Sequence, residues 1–435
     1  MSGETAVERV EAALAKAHAT QDTLNAFISF DDERALERAA VIDGRLRKGE
    51  DVGPLAGIPI ALKDLIDHEG RTTTCGSAFY TEVASSTAQS VLRLETAGAI
   101  VIGRTNLHEF AFGFDSENEH WGPVRNPWDL DTSAGGSSGG SGVAVAAGIT
   151  PIAIGTDTGG SVRVPAALCG TYGLKVTYDR ISLDGVFPLV PDIDTVGPLA
   201  DSMENIAVSY RVMSGDESPE PGRGQLRIGV PEPWYGDAPM TDDIRSAFEG
   251  AVAAIRGLGH EVHPIQMPDT KPSHHIFGAI AAVADIHEIF RKEGRRYGSS
   301  VDVRIDMAEN TSEEERAAGR EWQHMIRERF ADALATVDFL ITPTCPVSRK
   351  VIGQDSIGDK SHRTVLSYFT AIVNHALHPA IALPIVDSGA PPASLQVIGS
   401  RGSESSLIGL GRWLEDVGIV GFTPAPGNSP NAGGG

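Results

Sequence analysis

The sequence predicts an α/β fold, a large mixed β-sheet with helices covering both of its faces, and three observations support this. Short runs that are almost wholly apolar, such as residues 57–62, are typical of strands buried on both faces. Segments with apolar residues at helical spacing stand between those runs, so helices and strands alternate. No Pro- and Gly-rich linker and no internal repeat divides the 435 residues, so we predict a single domain over residues 1–422.

The predicted elements follow one another from the N-terminus. Thr5 and Glu8 have the spacing of a capping box, which predicts that a first helix begins there. A second amphipathic helix is predicted over residues 32–48, and Gly49 ends it. The next elements are a strand at 57–62, a helix at 88–97, a strand at 99–102, a helix at 143–147 and a strand at 151–154. Later strands are predicted at 226–230, 261–263, 339–342, 380–383 and 395–398.

The region from about residue 231 to residue 335 is predicted to be a helical layer that shapes the substrate pockets. Within it, residues 278–335 are rich in charge and helical in pattern, which indicates helices exposed to solvent. Residues 423–435 are rich in Pro, Asn and Gly and have no apolar pattern, so we predict a disordered tail there.

Composition argues against several classes of partner. Thirty-six Lys and Arg against 58 Asp and Glu give a net charge of −22, with the acidic residues spread along the chain. Nucleic acids and anionic membranes attract clustered positive charge, so we predict binding to neither. Three widely spaced cysteines and an N-terminus without signal-peptide regions predict a soluble cytoplasmic protein. His260 and His263 lack the spacing of a helical metal site, so we predict no metal and no cofactor.

Residues 132–156 form an unusual stretch, because none of the twenty-five carries a charge. Its first half is crowded with Ser and Gly, its second half is apolar, and another Ser and Gly cluster ends at residue 161. A flexible linker, a membrane span and a phosphate-binding loop each explain it poorly. A linker is disfavoured because the flanking residues have helix and strand patterns. A membrane span is disfavoured because Gly and Ser lower the hydropathy, and a phosphate-binding loop because no lysine follows the glycines. We interpret the stretch as a buried segment that carries hydroxyl chemistry, with glycines allowing close backbone approach.

A serine nucleophile requires a base, and the residues alone leave the source of that base open. Lys63 ends the strand at 57–62; its amine either reaches solvent or becomes a neutral base through burial beside the hydroxyls. Gly136 to Gly140 also matches G-x-S-x-G with Ser138 at its centre, the pattern of an α/β-hydrolase esterase. That pattern requires a strand directly before it, and residues 126–132 are turn-like in sequence, which disfavours it.

Three long motifs strongly resemble the amidase signature family. They are Gly53-Pro-Leu-Ala-Gly-Ile-Pro-Ile-Ala-Leu-Lys-Asp64, Gly135-Gly-Ser-Ser-Gly-Gly-Ser141 and Gly155-Thr-Asp-Thr-Gly-Gly-Ser-Val-Arg163. Similar segments at 126–130, 166–175, 196–199 and 395–399 extend the resemblance over most of the chain. The resemblance implies an amidohydrolase that cleaves the C–N bond of a small amide, carbamate or urea through a serine acyl-enzyme. Water and the small-molecule amide are then the expected partners, and no cofactor is expected.

The resemblance also implies roles for individual residues. Lys63 corresponds to the base, Ser137 to a bridging serine preceded by a cis peptide bond, and Ser161 to the nucleophile. The implied binding residues for the oxyanion are Thr158, Gly159 and Gly160, and the implied supporting residues are Ser138, Asp157 and Arg163.

Two functions stay open within the family: a stand-alone amidase, and the glutaminase-type A subunit of an aminoacyl-tRNA amidotransferase. The usual pattern of that second class is Gly-Leu-Lys-Pro-Thr-x-Gly-Arg. This chain has Gly173-Leu-Lys-Val-Thr-Tyr-Asp-Arg180, with Val176 in place of the proline and Asp179 in place of the second glycine. These departures favour the stand-alone enzyme, for which a homodimer is left open.

Overall fold

A computed structural model describes residues 3–220, 224–270 and 275–426 of the chain. The strands are β1 (Phe27–Phe30), β2 (Pro59–Lys63), β3 (Thr72–Thr73), β4 (Glu82–Val83), β5 (Ile100–Thr105), β6 (Glu117–Asn118), β7 (Gly122–Pro123), β8 (Arg125–Asn126), β9 (Asp129–Ser133), β10 (Ile152–Asp157), β11 (Tyr172–Lys175), β12 (Thr195–Ala200), β13 (Arg227–Glu232), β14 (Glu261–Gln266), β15 (Phe339–Pro343), β16 (Ser356–Ile357), β17 (Lys360–Ser361), β18 (Ala380–Pro384) and β19 (Ser394–Ile398). The α-helices are α1 (Ala6–Leu24), α2 (Asp32–Arg47), α3 (Gln89–Thr96), α4 (Gly139–Ala146), α5 (Arg163–Cys169), α6 (Met203–Ser214), α7 (Asp242–Gly257), α8 (His275–Ile280), α9 (Val283–Lys292), α10 (Ser299–Glu309), α11 (Glu313–Leu334), α12 (His362–Leu366), α13 (Ala371–His375) and α14 (Glu404–Asp416).

One mixed sheet of eleven strands organises these elements, and its strand order is β1-β5-β2-β10-β12-β11-β18-β19-β15-β13-β14. The strand β2 lies between two parallel neighbours, β5 and β10. The neighbours β10 and β12 are antiparallel, as are β18 and β19. The predicted mixed sheet is therefore confirmed.

Alternate residues of the central strands enter different hydrophobic cores, which is the signature of a sheet buried on both faces. In β2, Ile60 and Leu62 belong to the larger core, whereas Ala61 belongs to the second. In β10, Ile154 and Ala153 divide in the same way. Helices α1, α2 and α4 pack against β2 or β5 on the side of the smaller core, and α3 and α6 contribute to the larger one. The prediction of helices on both faces is confirmed.

Several elements differ from the sequence-based expectation. The edge strand β1 and the central strands β11 and β12 were not predicted, and α4 begins at Gly139, inside the glycine-rich run. The region 231–335 is not purely helical, because the end of β13 and the whole of β14 belong to the sheet. Residues 275–334 contain the helices α8 to α11, as their pattern indicated.

The C-terminal segment remains packed beyond its predicted boundary. The N–H of Ala425 donates to the carbonyl of Ala146 at 3.1 Å, and Ala425 is buried. The first residues of the predicted tail are therefore ordered, and its remainder, residues 427–435, lies outside the described residues. Among the helices of the described ranges, none combines the length and apolar character required to cross a membrane.

Candidate active site

The two parallel strands β2 and β10 bring separate glycine-rich segments to one edge of the sheet. Ile60 pairs with Ile152 and Leu62 with Ile154, so the carboxyl ends of both strands point the same way. Lys63 is the last residue of β2, and the turn that contains Ser161 follows β10 directly. This edge is where ligands bind in many open α/β sheets.

Lys63 has its amine fully enclosed at this edge. The side chain is 0% exposed, and Nζ lies 2.7 Å from Ser137 Oγ and 2.9 Å from Thr156 Oγ1. Burial lowers the pKa of Lys63 to about 7, although the carboxylates of Asp157 and Asp194 oppose this change. Of the two sequence interpretations, the buried amine is the one that the structure supports, and its lowered pKa makes the neutral amine accessible near neutral pH.

Ser137 is held on its backbone as well as its side chain. The Gly136–Ser137 peptide bond is cis, at the bond that the family resemblance indicated. The carbonyl of Ser137 accepts hydrogen bonds from His108 N–H at 3.2 Å and from Ser116 Oγ at 3.1 Å. Gly136 has no room for a side chain, because a Cβ there would lie 2.7 Å from the backbone nitrogens of Asp115 and Ser116.

Ser161 lies beside this pair in the turn between β10 and α5. Its carbonyl accepts the Ser138 N–H at 3.3 Å, and the residue is 3% exposed. Its hydroxyl forms no hydrogen bond with any described residue. The chain therefore brings Lys63 and Ser137 into direct contact and holds Ser161 next to them without a hydroxyl-to-hydroxyl bond.

The N–H groups of the turn before Ser161 differ in whether they are free to bind an oxyanion. Those of Thr158, Gly159 and Ser161 have no partner among the described residues. The N–H of Gly160 instead donates to Asp157 Oδ1 at 2.8 Å, so among the three expected oxyanion-binding residues Gly160 is the one whose N–H already has a partner. Gly160 supplies a turn with φ of 130°, where a Cβ would lie 2.2 Å from Thr370 Oγ1.

A buried ion pair between Asp157 and Arg163 holds the turn that contains Ser161. Arg163 Nη2 donates to Asp157 Oδ1 at 2.9 Å, and both side chains are 0% exposed. Burial alone would raise the pKa of Asp157, but the adjacent Arg163 guanidinium lowers it well below its usual range. Arg163 Nη1 also donates to Gln396 at 2.7 Å, and Asn374 donates to Asp157 at 2.9 Å. The carboxylate is therefore charged and fully engaged in holding the turn.

Ser138 has the contacts of a supporting residue. Its Oγ donates to the Thr156 carbonyl and accepts the Thr156 N–H, both at 3.3 Å, and it is 0% exposed. The turn expected at residues 126–132 is limited to Pro127 and Trp128, and Asp129–Ser133 after it is a strand of a two-stranded ribbon outside the main sheet. A serine so enclosed and so bonded does not resemble the exposed elbow nucleophile of an esterase.

A buried carboxylate, Asp115, closes the loop that holds the Ser137 carbonyl. It contacts His108 Nδ1 and His362 Nε2, each at 2.8 Å, and Lys350 Nζ at 3.6 Å. Burial opposes ionisation, yet hydrogen bonds from the two histidines keep the pKa of Asp115 well below its ordinary value. His108 is thus oriented by Asp115 while its backbone N–H holds Ser137.

Several of these residues were not identified in the sequence. Thr156 and Gln396 lie inside motifs that carry the family resemblance, so a signal existed for them. Asp115, Asp194 and Asn374 have no distinguishing local pattern, and only the folded chain brings them to the site. No group of three or more His, Cys, Asp or Glu within residues 3–220, 224–270 and 275–426 is arranged to hold a metal ion.

A buried lysine with a lowered pKa, bonded to one serine and beside a second serine in a turn whose N–H groups are partly without described partners, is the arrangement of a serine hydrolase. The protein-family model described as Amidase matches residues 8–408. The chain therefore belongs to the amidase family, whose enzymes hydrolyse amide C–N bonds, and the amide hydrolysis expected from its motifs is confirmed at that level.

Individual relatives cover nearly all of the chain. AtzE of Pseudomonas sp. (strain ADP), a subunit of 1-carboxybiuret hydrolase, is 36% identical over 455 aligned residues, which span 96% of this chain and 97% of that protein. The A subunit of the glutamyl-tRNA(Gln) amidotransferase from Alkalilimnicola ehrlichii is 33% identical, over 94% of this chain and 93% of that protein. An amidase crystal structure superposes with a TM-score of 0.90 at 32% identity, covering 95% of this chain and 96% of the other. A 6-aminohexanoate cyclic dimer hydrolase bound to its substrate gives a TM-score of 0.86 at 27% identity, covering 98% and 97%.

Proposed function

We propose that this amidase is a stand-alone enzyme for a small amide, in which Ser161 is the nucleophile, Ser137 the proton relay and Lys63 the base. The observation that carries the proposal is the buried Lys63 amine, with a pKa of about 7, held 2.7 Å from the Ser137 hydroxyl. A neutral amine has the lone pair that a charged lysine lacks, so it can accept the proton that the serines give up.

Acylation then needs two proton transfers in one direction. Ser161 Oγ bonds to the amide carbon while its proton passes to Ser137 Oγ, and the Ser137 proton passes to Lys63 Nζ. When the C–N bond breaks, the proton on Lys63 returns through Ser137 to the departing nitrogen, which leaves as ammonia or an amine. The product is an ester between the acyl group and Ser161.

Deacylation repeats the route with water as the nucleophile. Water adds to the ester carbon, its proton follows the relay, and Ser161 leaves with a proton while the acid is released. In both halves the carbonyl oxygen becomes negative, and the N–H groups of Thr158, Gly159 and Ser161, which have no partner among the described residues, are the donors available to it. One such donor contributes about 10² to 10³ in rate.

The missing bond between the Ser161 and Ser137 hydroxyls does not oppose this mechanism. Hydrogen bonds of catalytic groups are often long or poorly aligned without substrate and tighten when it binds. The backbone of Ser161 is already tied to the Ser137 segment, because its carbonyl accepts the Ser138 N–H at 3.3 Å.

A role as a glutaminase in a larger amidotransferase is the second candidate, since the A subunits of glutamyl-tRNA(Gln) amidotransferases are comparably similar. The departure at Asp179 carries less weight than the sequence suggested. Asp179 has φ of 65°, the left-handed conformation that a glycine at this position would adopt easily, and aspartate tolerates it better than most residues. Val176 in place of proline remains as the discriminating difference in this motif.

A panel of aliphatic, aryl and carbamate amides, with glutamine included, tests the proposal on the purified chain. We expect Ser161→Ala and Lys63→Ala each to lose at least about a thousandfold in turnover while staying folded. Ser138→Ala is the matched control and should retain far more activity, because Ser138 only supports the turn. Full activity of Ser161→Ala together with loss of activity in Ser138→Ala would assign Ser138 as the nucleophile and reject the mechanism.

Size-exclusion chromatography and glutaminase assays separate the two candidates. A stand-alone enzyme hydrolyses a small amide without a second protein. Negligible turnover of the whole panel by the isolated chain, with glutaminase activity restored by partner proteins, would favour the second candidate.

A further inference from the structure

A cavity of about 330 Å³ opens between the C-terminal half of α11 and the ends of β18 and β19. It is lined by Arg327, Ala331, Leu334, Ala376, His378 and Arg401. One wall is therefore aliphatic, and two guanidinium groups contribute positive charge. The volume lies at the small end of the range for ligand pockets, so only a small molecule would fill it.

Both arginines of the cavity lack a carboxylate partner in the described residues. Arg327 donates its Nε to the His375 carbonyl at 3.1 Å, which leaves its two terminal nitrogens without a described acceptor. The side chain of Arg401 forms no hydrogen bond or ion pair with any described residue. Arg327 is half-buried and Arg401 is exposed, and the carboxylate that acts on Arg327, Asp192, does so without forming an ion pair with it.

The two guanidiniums of the cavity are close enough to repel each other. Burial lowers the pKa of Arg327, and repulsion from Arg401 lowers it further, with partial opposition from Asp192. Burial also lowers the pKa of His378 to about 4 and that of Lys175 to about 7, and Arg401 contributes to both. Lys175 donates to the carbonyl of His378 from behind the cavity wall. An anion in the cavity would relieve this repulsion.

We propose that this cavity binds a small aliphatic carboxylate, with its charge between Arg327 and Arg401 and its hydrocarbon chain on the wall formed by Ala331, Leu334 and Ala376. A planar guanidinium matches the two oxygens of a carboxylate, and the fixed Nε of Arg327 orients its fork in advance. Carboxylates are also the acid products of amide hydrolysis, so the ligand belongs to the chemical class that this enzyme releases.

The position of the cavity connects it to the catalytic turn through α13. The carbonyl of His375, at the end of α13, accepts the Arg327 hydrogen bond, and Ala376 lines the cavity. Asn374 on the same helix donates to Asp157, and Thr370, which precedes the helix, donates to the Gly159 carbonyl at 2.7 Å. A ligand on Arg327 therefore acts on the helix that supports the turn carrying Ser161.

Calorimetric titration of butyrate into the full chain tests the proposal. We expect binding at millimolar concentration, weakening by about tenfold or more in Arg401→Gln and largely retained in Arg401→Lys, which keeps the charge. The matched control is Arg320→Gln. Arg320 is exposed and lies on α11, the helix that carries Arg327, but it does not line the cavity. Butanol, which lacks the charge, and inorganic phosphate, which lacks the hydrocarbon, should both bind more weakly.

Hydrogen exchange gives a second measurement that needs no substrate. Butyrate should slow exchange in residues 371–376 of the wild-type chain and have no such effect in Arg401→Gln. Equal butyrate affinity of wild type and Arg401→Gln would place the ligand elsewhere, such as beside Ser161, and overturn the proposal. Absence of butyrate binding to the wild-type chain, or phosphate binding as tight as that of butyrate, would overturn it as well.

Discussion

Replacing Lys63 by methionine should remove a pH-dependent penalty on folding. A lysine has a pKa of 10.5 when it is solvated, and burial lowers the pKa of Lys63 to about 7 in the folded chain. Between these values the unfolded chain binds one proton that the folded chain does not, so this residue makes stability rise with pH. The slope is about 1.4 kcal/mol per pH unit, and the full difference between the two pKa values corresponds to roughly 5 kcal/mol.

Methionine has no proton to release, so the Lys63→Met chain lacks this slope. The advantage of the variant should therefore be largest below about pH 7 and, above it, shrink by up to about 1.4 kcal/mol for each pH unit until about pH 10. Loss of the hydrogen bonds to Ser137 and Thr156 affects the absolute stability but has no titration in this range.

Urea unfolding of the two chains at several pH values between 7 and 9 measures the difference directly. Lys48→Met serves as the control, because Lys48 is exposed and its replacement removes no buried amine. A stability difference between wild type and Lys63→Met that stays constant over this range would mean that the buried amine keeps its proton, and the base would be lost from the mechanism.

Three further predictions concern catalysis and the support of the site. The kcat/KM of the wild-type enzyme should rise with pH through about 7, as Lys63 loses its proton, and a flat profile from pH 6 to 8 would contradict this. Asp157→Asn should lower the free energy of unfolding by about 3 to 5 kcal/mol, because the Arg163 charge stays buried without its partner, and a urea midpoint unchanged from wild type would contradict it. Asp115→Asn should lower kcat by about tenfold with little change in KM, because His108 loses its orientation and the Ser137 carbonyl its support; lowered stability with an unchanged kcat would leave Asp115 a structural role only.

The pattern of apolar residues predicts an element correctly where burial of that element determines the pattern. Residues 57–62 are uniformly apolar because β2 is buried on both faces. The helix α4 was placed too late because its first four residues are three glycines and a serine, which have weak helix propensity. Close packing explains the glycine at position 140, because a Cβ there would lie 2.3 Å from the carbonyl oxygen of Ala26. The strand β12 contains Pro198, which argues against a central strand, and packing between β10 and β11 overrides that preference.

The site was predictable only through motif resemblance, for a physical reason. Lys63 and Ser137 are 74 residues apart, and nothing in either local pattern indicates that their side chains meet. The hydrogen bond from the Gly160 N–H to the side chain of Asp157 could not be read from the sequence, because such a local contact depends on the folded turn. The network around Asp115 was missed because its members come from distant loops.

Covalent labelling with an alkyl fluorophosphonate tests the identity of the nucleophile most directly. The reagent forms a phosphorus–oxygen bond with an activated serine and releases fluoride, and peptide mass spectrometry locates the adduct. We expect one adduct on Ser161 of the wild-type chain, none on Ser161→Ala, and labelling slowed by about a hundredfold or more in Lys63→Met. An adduct on Ser138, or equally fast labelling of Lys63→Met, would contradict the proposed relay from Ser161 through Ser137 to a neutral lysine.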